Sequence, residues 1–259
     1  MSNLSPARAH VQAHVAAARA AADAGERIDP ALANGYELML AQLAEHRRQL
    51  KQIQSVERKI EHKRRLIPEY TPYIAGALEA DRGGQDDVLV TLLVWHIDCG
   101  QLAAAVPLAA YCLEHGLVMP DHYERSLACI VAEEAAELAL RQLAAGEAAD
   151  VAALEAIQGM AADRDMPDEV RAKLCKALGY ALRDAYPGAA LLHLERALQL
   201  NAKVGVKKDI ERLEREIKKA TEAAPAAPAP APAHDFTVAP NGADFDVTPN
   251  TAGSAPAAG

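Results

Sequence analysis

From Tyr36 to Ile67, apolar side chains recur every seven residues in two interleaved registers: Tyr36, Leu43 and Leu50 in one, Met39, Ile53, Ile60 and Ile67 in the other. A double register of this kind predicts one long helix over 36–67 whose seam packs as a coiled coil or a helical hairpin. His46, Glu57 and Arg64 interrupt that seam. Upstream, the Ala-rich stretch 6–24 predicts a helix ending near Gly25, with Asp29 and Pro30 opening the next element. Downstream, Pro68 and Pro72 in IPEYTPYI interrupt the helix, and RGGQDD marks a loop with Asp86 or Asp87 as an N-cap. Helices of ordinary length are expected at 87–98, 102–115, 121–144, 150–161, 167–184, 188–201 and 205–220. Short loops such as CGQ, AAGEAAD and YPG separate them and favour antiparallel neighbours. Leu178, Gly179, Leu182, Ala190, Leu194 and Ala197 nearly reproduce the small-and-large spacing of a tetratricopeptide repeat, and 87–115 has the same character.

Composition sharpens this into an all-α reading. Hydrophobic residues make up 51% of the chain but aromatics only 4%, and Ala, which favours helices, supplies much of the apolar content. The expected organisation is an N-terminal helix or arm over 1–27 and a basic, coiled-coil-like segment over 28–67. A repeat-like bundle over 68–220 and a Pro/Ala-rich tail over 221–259 follow. The tail cannot bury enough apolar surface to order itself, so disorder is expected there. No run of about 18 apolar residues occurs, so no membrane span is expected. The first residues also lack the order of a signal peptide, which points to the cytoplasm. Cys99, Cys112, Cys129 and Cys175 are too few and too scattered for a disulfide framework; reduced, buried thiols are expected.

Two constellations suggest chemistry. His96, Cys99, Cys112 and His115 have zinc-like spacing. In a hairpin with its tip at Gly100, however, Cys99 and Cys112 stand on the order of 15–18 Å apart along the axis, so four ligands cannot meet. Asp86-Asp87 and Glu133-Glu134 are candidate carboxylates for metal-dependent phosphodiester hydrolysis, against a blander reading as a cap and a polar helix edge. No phosphate-binding loop, nucleophile elbow or metalloprotease motif is present, and no cofactor is expected.

Charge changes the picture most. The chain carries −9, yet between Glu45 and Arg65 eight cations, Arg47, Arg48, Lys51, Arg58, Lys59, Lys63, Arg64 and Arg65, face three Glu; this local +5 leaves −14 for the rest. A mixed-charge helix flank can simply be solvated. The lopsided sign instead points to phosphate contacts on duplex DNA, with affinity but little sequence discrimination. KVGVKKDIERLEREIKK is a second, weaker basic patch.

The blocks LIPEYTPYIAGALE, GQDDVLVTLLVWHIDCGQLAAAVPLAAYCLEHGLVMP, DMPDEVRAKLCKALG and GVKKDIERLEREIK, spread in order over roughly 30–220, resemble the small terminase subunit of P-two-like temperate tailed phages. The resemblance implies a DNA-packaging role beside a large subunit bearing the ATPase, selecting and cutting DNA at cohesive-end sites. That family is often labelled the endonuclease subunit, whereas the residues here offer no catalytic set. Its tails are often basic, whereas no Lys or Arg follows Lys219. The resulting expectation is a homo-oligomeric, non-catalytic subunit that recognises double-stranded viral DNA, with the 36–67 helix mediating assembly and offering phosphate contacts and the 68–220 bundle docking the large subunit. A metal-dependent nuclease and a protein-docking adaptor without DNA affinity are the rivals.

Overall fold

The apolar stripes fold as helices in the order read from the sequence. The computed structural model describes residues 4–21, 30–120 and 125–223, and no strand occurs among them. The helices are α1 (Pro6–Ala21), α2 (Pro30–Gln52), α3 (Val56–Leu66), α4 (Thr71–Ala80), α5 (Asp87–Asp98) and α6 (Leu102–Glu114), then α7 (Leu127–Ala144), α8 (Val151–Ala161), α9 (Asp168–Leu182), α10 (Pro187–Leu200) and α11 (Lys207–Ala223). The expected boundary near Gly25 and Asp29, the first residues of the 121–144 helix and the tail beyond 223 lie outside the described residues.

The helix expected to run unbroken over 36–67 is two helices. Ser55 adopts extended backbone and its hydroxyl accepts from Arg58 N at 3.3 Å, capping a new helix one residue later. A side-chain oxygen at that position satisfies one of the donors a helix start leaves open, so a restart at Ser55 costs little. Two of the three seam interruptions, Glu57 and Arg64, lie on the new helix after the break.

The seam itself is filled within the chain. Met39, Leu43, Leu50 and Ile67 are buried in the main core, and Tyr36, Leu40 and Ile60 pack against it, together with Leu89, Leu92, Leu93 and Trp95 of α5. His46, at a seam position, is buried and shares a 2.8 Å hydrogen bond with the Tyr70 hydroxyl. A stripe consumed by its own core is not free to zip against a second copy, so any self-association must use another face.

Pro68 starts a 3-10 turn over Ile67–Tyr70 and Pro72 the first turn of α4, where their missing N–H groups would be unpaired anyway. α1 then lies across α4 at Gly76: a Cβ there would stand 2.3 Å from Ala13 O. Because the obstacle is backbone, it cannot rotate away. Gly76→Ala is therefore expected to lower stability by about 2–3 kcal/mol, as overpacking does. Urea unfolding checks this, and a loss below about 0.5 kcal/mol would mean that α1 slides freely over α4.

The second half is the tight hairpin expected around Leu178 and Gly179. A Cβ on Gly179 would meet Leu194 Cδ2 at 2.6 Å, and Ala190, Leu194 and Ala197 are fully buried. α9 packs on α7 on its other side, and Val206, Ile210 and Leu213 form a smaller core with Leu182, Ala190 and Leu194.

Candidate nucleic-acid interface

Two of the eight cations turn out to be structural. α3 lies across the C-terminal end of α5, where unpaired carbonyls and the helix dipole attract positive charge. Lys63 Nζ forms an ion pair with Asp98, and its ammonium sits 6.0 Å from the Trp95 ring centre. The Arg64 guanidinium donates to Cys99 O, from Nη2 at 2.9 Å and Nε at 3.3 Å. Cys99 Sγ in turn lies 3.6 Å from Ile60 O. These contacts dock α3, and His62 ties it to α2 through a 3.1 Å hydrogen bond with Gln49 Oε1.

The others face outward to different degrees. Arg47 is half-buried in the cleft between α2 and α5, with Lys63, Thr91, Trp95 and Asp98. Arg48 pairs with Glu45 one turn earlier, both exposed, an interaction weak enough to yield to a phosphate. Lys51, Arg58 and Arg65 are exposed and Lys59 is half-buried. Among the described residues these four make no side-chain hydrogen bond or ion pair. The weaker patch on α11 is nearly balanced, six Lys or Arg against five Asp or Glu, and Arg215 Nε donates to Glu211 O at 3.0 Å.

Three of the four candidate carboxylates are engaged elsewhere. Asp86 is the N-cap of α5: Oδ1 accepts from Val88 N at 2.9 Å and Leu89 N at 3.1 Å, and Oδ2 accepts from the Tyr73 hydroxyl at 2.6 Å. Burial pushes its carboxyl up and outweighs the hydrogen bonds that favour the anion. Asp87 Oδ1 accepts from Gln85 Nε2 at 2.9 Å, and its N–H donates to the Tyr36 hydroxyl, whose own pKa is pushed up to about 12, mainly by burial. Glu133 pairs with Arg125 and, at 2.9 Å, with Lys173. Burial works to raise Glu133, but these two cations hold it below the ordinary carboxylate range. Glu134 is raised, chiefly by burial.

The zinc-like set is likewise dispersed among other partners. His115 Nε2 bonds to Asp81 Oδ1 at 2.8 Å, while Cys112 is fully buried and its thiol pushed up to about 12 by burial. All four cysteines are free and buried. Among the described residues no three His, Cys, Asp or Glu side chains are grouped so as to hold a metal ion. No helix among them is long and apolar enough to cross a membrane.

Burial lowers the pKa of His46, His96 and His193, because each loses hydration as an imidazolium. The unfolded chain therefore binds more protons, and stability is full above the ordinary His pKa of about 6.5 and falls as pH drops below it. Asp86 acts in the opposite sense, since a raised carboxyl costs stability as it ionises. His46→Gln keeps a partner for Tyr70 and isolates one His: its pH–stability slope is expected to be shallower by up to one proton. Thermal melts from pH 7.5 to 5.5 read this directly; an unchanged slope would show that His46 protonates freely in the fold.

The cation run is plain in the sequence; the Ser55 restart, which begins the short helix that docks through Lys63 and Arg64, is the feature not expected from it. Ser55 followed by Glu57 in the first turn was the available signal.

The phage small terminase subunit family model matches residues 40–169, which takes in α3 and most of α2. The chain is 44% identical over 206 residues to the "Terminase, endonuclease subunit" of Escherichia phage P2, covering 79% of this chain and 83% of the relative. No solved structure matches it. On both matches, the chain belongs to the phage small terminase subunit family and has a role in viral DNA packaging.

Proposed function

We propose that this chain binds double-stranded viral DNA at the cohesive-end packaging site. It positions that DNA for cleavage and ATP-driven packaging by a large terminase subunit in the bacterial cytoplasm. The observation carrying this is the set of four cations without a partner among the described residues, Lys51, Arg58, Lys59 and Arg65, gathered on α2 and α3 of a chain whose net charge is −9. Cations left without carboxylate partners in an acidic protein stay available for phosphates, while the acidic remainder keeps the DNA on this face. Several copies would multiply that positive surface. Since the seam is buried, assembly would use exposed apolar positions such as Leu38 of α2, which is 71% exposed.

Fluorescence anisotropy with a cohesive-end fragment and a scrambled duplex, over a salt series, tests the reading. Up to four phosphate contacts predict a log–log slope as steep as about −3.6 per copy and tighter binding to the cohesive-end fragment. No binding to either duplex at low salt would leave a protein-docking adaptor.

The phage P2 relative is named as an endonuclease subunit, so a second reading has this chain doing the cutting. The engagement of Asp86 and Glu133 in a cap and in ion pairs favours assigning that step to the partner.

Docking to the large subunit falls to the tail. D-F-x-V-x-P-N occurs twice there, at 235–241 and 244–250, and the two copies hold both Phe of the chain. Two apolar–acidic anchors in one Pro-rich sequence suit bivalent capture by a partner. Truncation after Ala223 is expected to leave DNA affinity intact and abolish co-purification with the large subunit. Retained co-purification would place the contact on the helical bundle.

A further inference from the structure

The phosphate surface does not explain why a carboxylate stands in its middle. On α3, Arg58, Glu61 and Arg65 follow one another at three and four residues, so they form a single stripe. It faces away from Ile60 and Lys63, the side that docks on α5. All three side chains are exposed. Glu61 is placed to pair with either arginine, yet among the described residues it makes no side-chain hydrogen bond or ion pair. Against phosphates alone a free Glu there is repulsive. Against base edges it is a reader, since a carboxylate accepts from cytosine N4 while Arg forks onto guanine O6 and N7.

The dimensions agree. From residue 58 to residue 65 the helix rises about 10 Å, roughly three base-pair steps of about 3.4 Å each. An isolated α-helix fits the major groove, which is about 12 Å wide. α3 meets that requirement because it is docked on one side only, and Ser55, His62, Lys63 and Arg64 fix its position without using the outer stripe.

Resting on the DNA-binding reading above, we infer that α3 enters the major groove and that Arg58, Glu61 and Arg65 read base edges, Arg58 and Arg65 at guanines and Glu61 at a cytosine between them. Lys51, Lys59 and Arg48 supply phosphate contacts beside it. Sequence discrimination at the packaging site then lies on this helix, and the Glu restricts binding elsewhere.

The test is selection of preferred sites from a randomised duplex pool by the full chain, wild type against Glu61→Gln, followed by anisotropy on the selected and scrambled duplexes. Gln pairs with adenine rather than cytosine. The expected result is a change from C to A at one selected position. Discrimination between selected and scrambled duplexes on the wild-type site should fall about tenfold, with scrambled-duplex affinity equal or higher. Arg58→Ala should relax a separate, guanine position, and circular dichroism confirms that both variants keep their helix content. If Glu61→Gln tightens both duplexes equally and leaves the selected sequence unchanged, Glu61 only repels phosphates and base reading by α3 is overturned. A wild-type protein that binds duplexes but selects no sequence overturns it too, leaving DNA binding itself intact. A wild-type protein that binds no duplex fails the broader reading instead.

Discussion

Replacing Lys51, Arg58, Lys59 and Arg65 together by Glu is expected to abolish duplex binding while leaving helix content and the unfolding midpoint where they were. Each side chain projects from α2 or α3 without a partner among the described residues, so no internal contact is lost. The loss is electrostatic. The salt slope becomes shallower by about 1.8 for the phosphate contacts of Lys51 and Lys59, and by up to about 3.6 where Arg58 and Arg65 also displace counterions; affinity near physiological salt should fall by at least about a hundredfold. Lys63 and Arg64 are unsuitable for this experiment, despite lying in the same basic run. Lys63→Glu would set a carboxylate against Asp98, and Arg64→Glu would strip Cys99 O of its donor. Either would loosen α3 from the end of α5 and lose DNA binding for the wrong reason. Anisotropy and circular dichroism on the same preparations separate the cases. Undiminished affinity in the fourfold variant would remove α2 and α3 from the DNA-binding surface.

The division between docking and free cations marks where sequence reading stops. Helix existence was legible because Ala-rich stretches with apolar positions at helical spacing have few alternatives, and α5, α6, α8, α9 and α10 lie within a residue or two of their expected bounds. Local chemistry was legible too: Asp86 was a cap candidate from the RGGQDD loop and caps α5. Gly179 and Leu194 were spaced for close approach, and they meet. What failed was the long helix. Seven-residue spacing is the same whether a stripe packs on a second copy or on the chain's own α5, and no count of apolar residues tells the two apart. Only the three-dimensional position of Trp95, Asp98 and Cys99 decides that Lys63 and Arg64 are spent inward while Arg58 and Arg65 remain outward. The Lys and Arg types are identical in the sequence; their partners, distant along the chain, are not visible there.

Asp86→Ala is expected to unfold the protein earlier rather than to remove a catalytic group. The substitution deletes the α5 cap, worth about 1 kcal/mol, and strands the buried Tyr73 hydroxyl, worth about 1–3 kcal/mol. The desolvation cost of a buried carboxylate is recovered at the same time, so a net loss of about 2–3 kcal/mol is expected. For a domain of this size that corresponds to a fall in Tm of roughly 4–12 °C. Adding Tyr73→Phe to Asp86→Ala should restore the part owed to the stranded hydroxyl, because that donor is then gone, while the loss owed to Val88 N and Leu89 N remains. Asp86→Asn keeps an acceptor for Val88 N and Leu89 N and should cost less than the Ala variant. Asp87→Ala, by contrast, gives up only the contact from Gln85 and should leave the melt within about 0.5 kcal/mol of wild type. That makes Asp87 the clean probe of cutting and Asp86 the clean probe of folding. Mg²⁺-dependent nicking of a cohesive-end duplex by the isolated chain, lost in a fully folded Asp87→Ala variant, would assign cleavage to this subunit. Nicking absent from the wild type, with the Tm of Asp86→Ala depressed and that of Asp87→Ala unchanged, fits carboxylates that build the loop before α5 and a subunit that presents DNA to its partner.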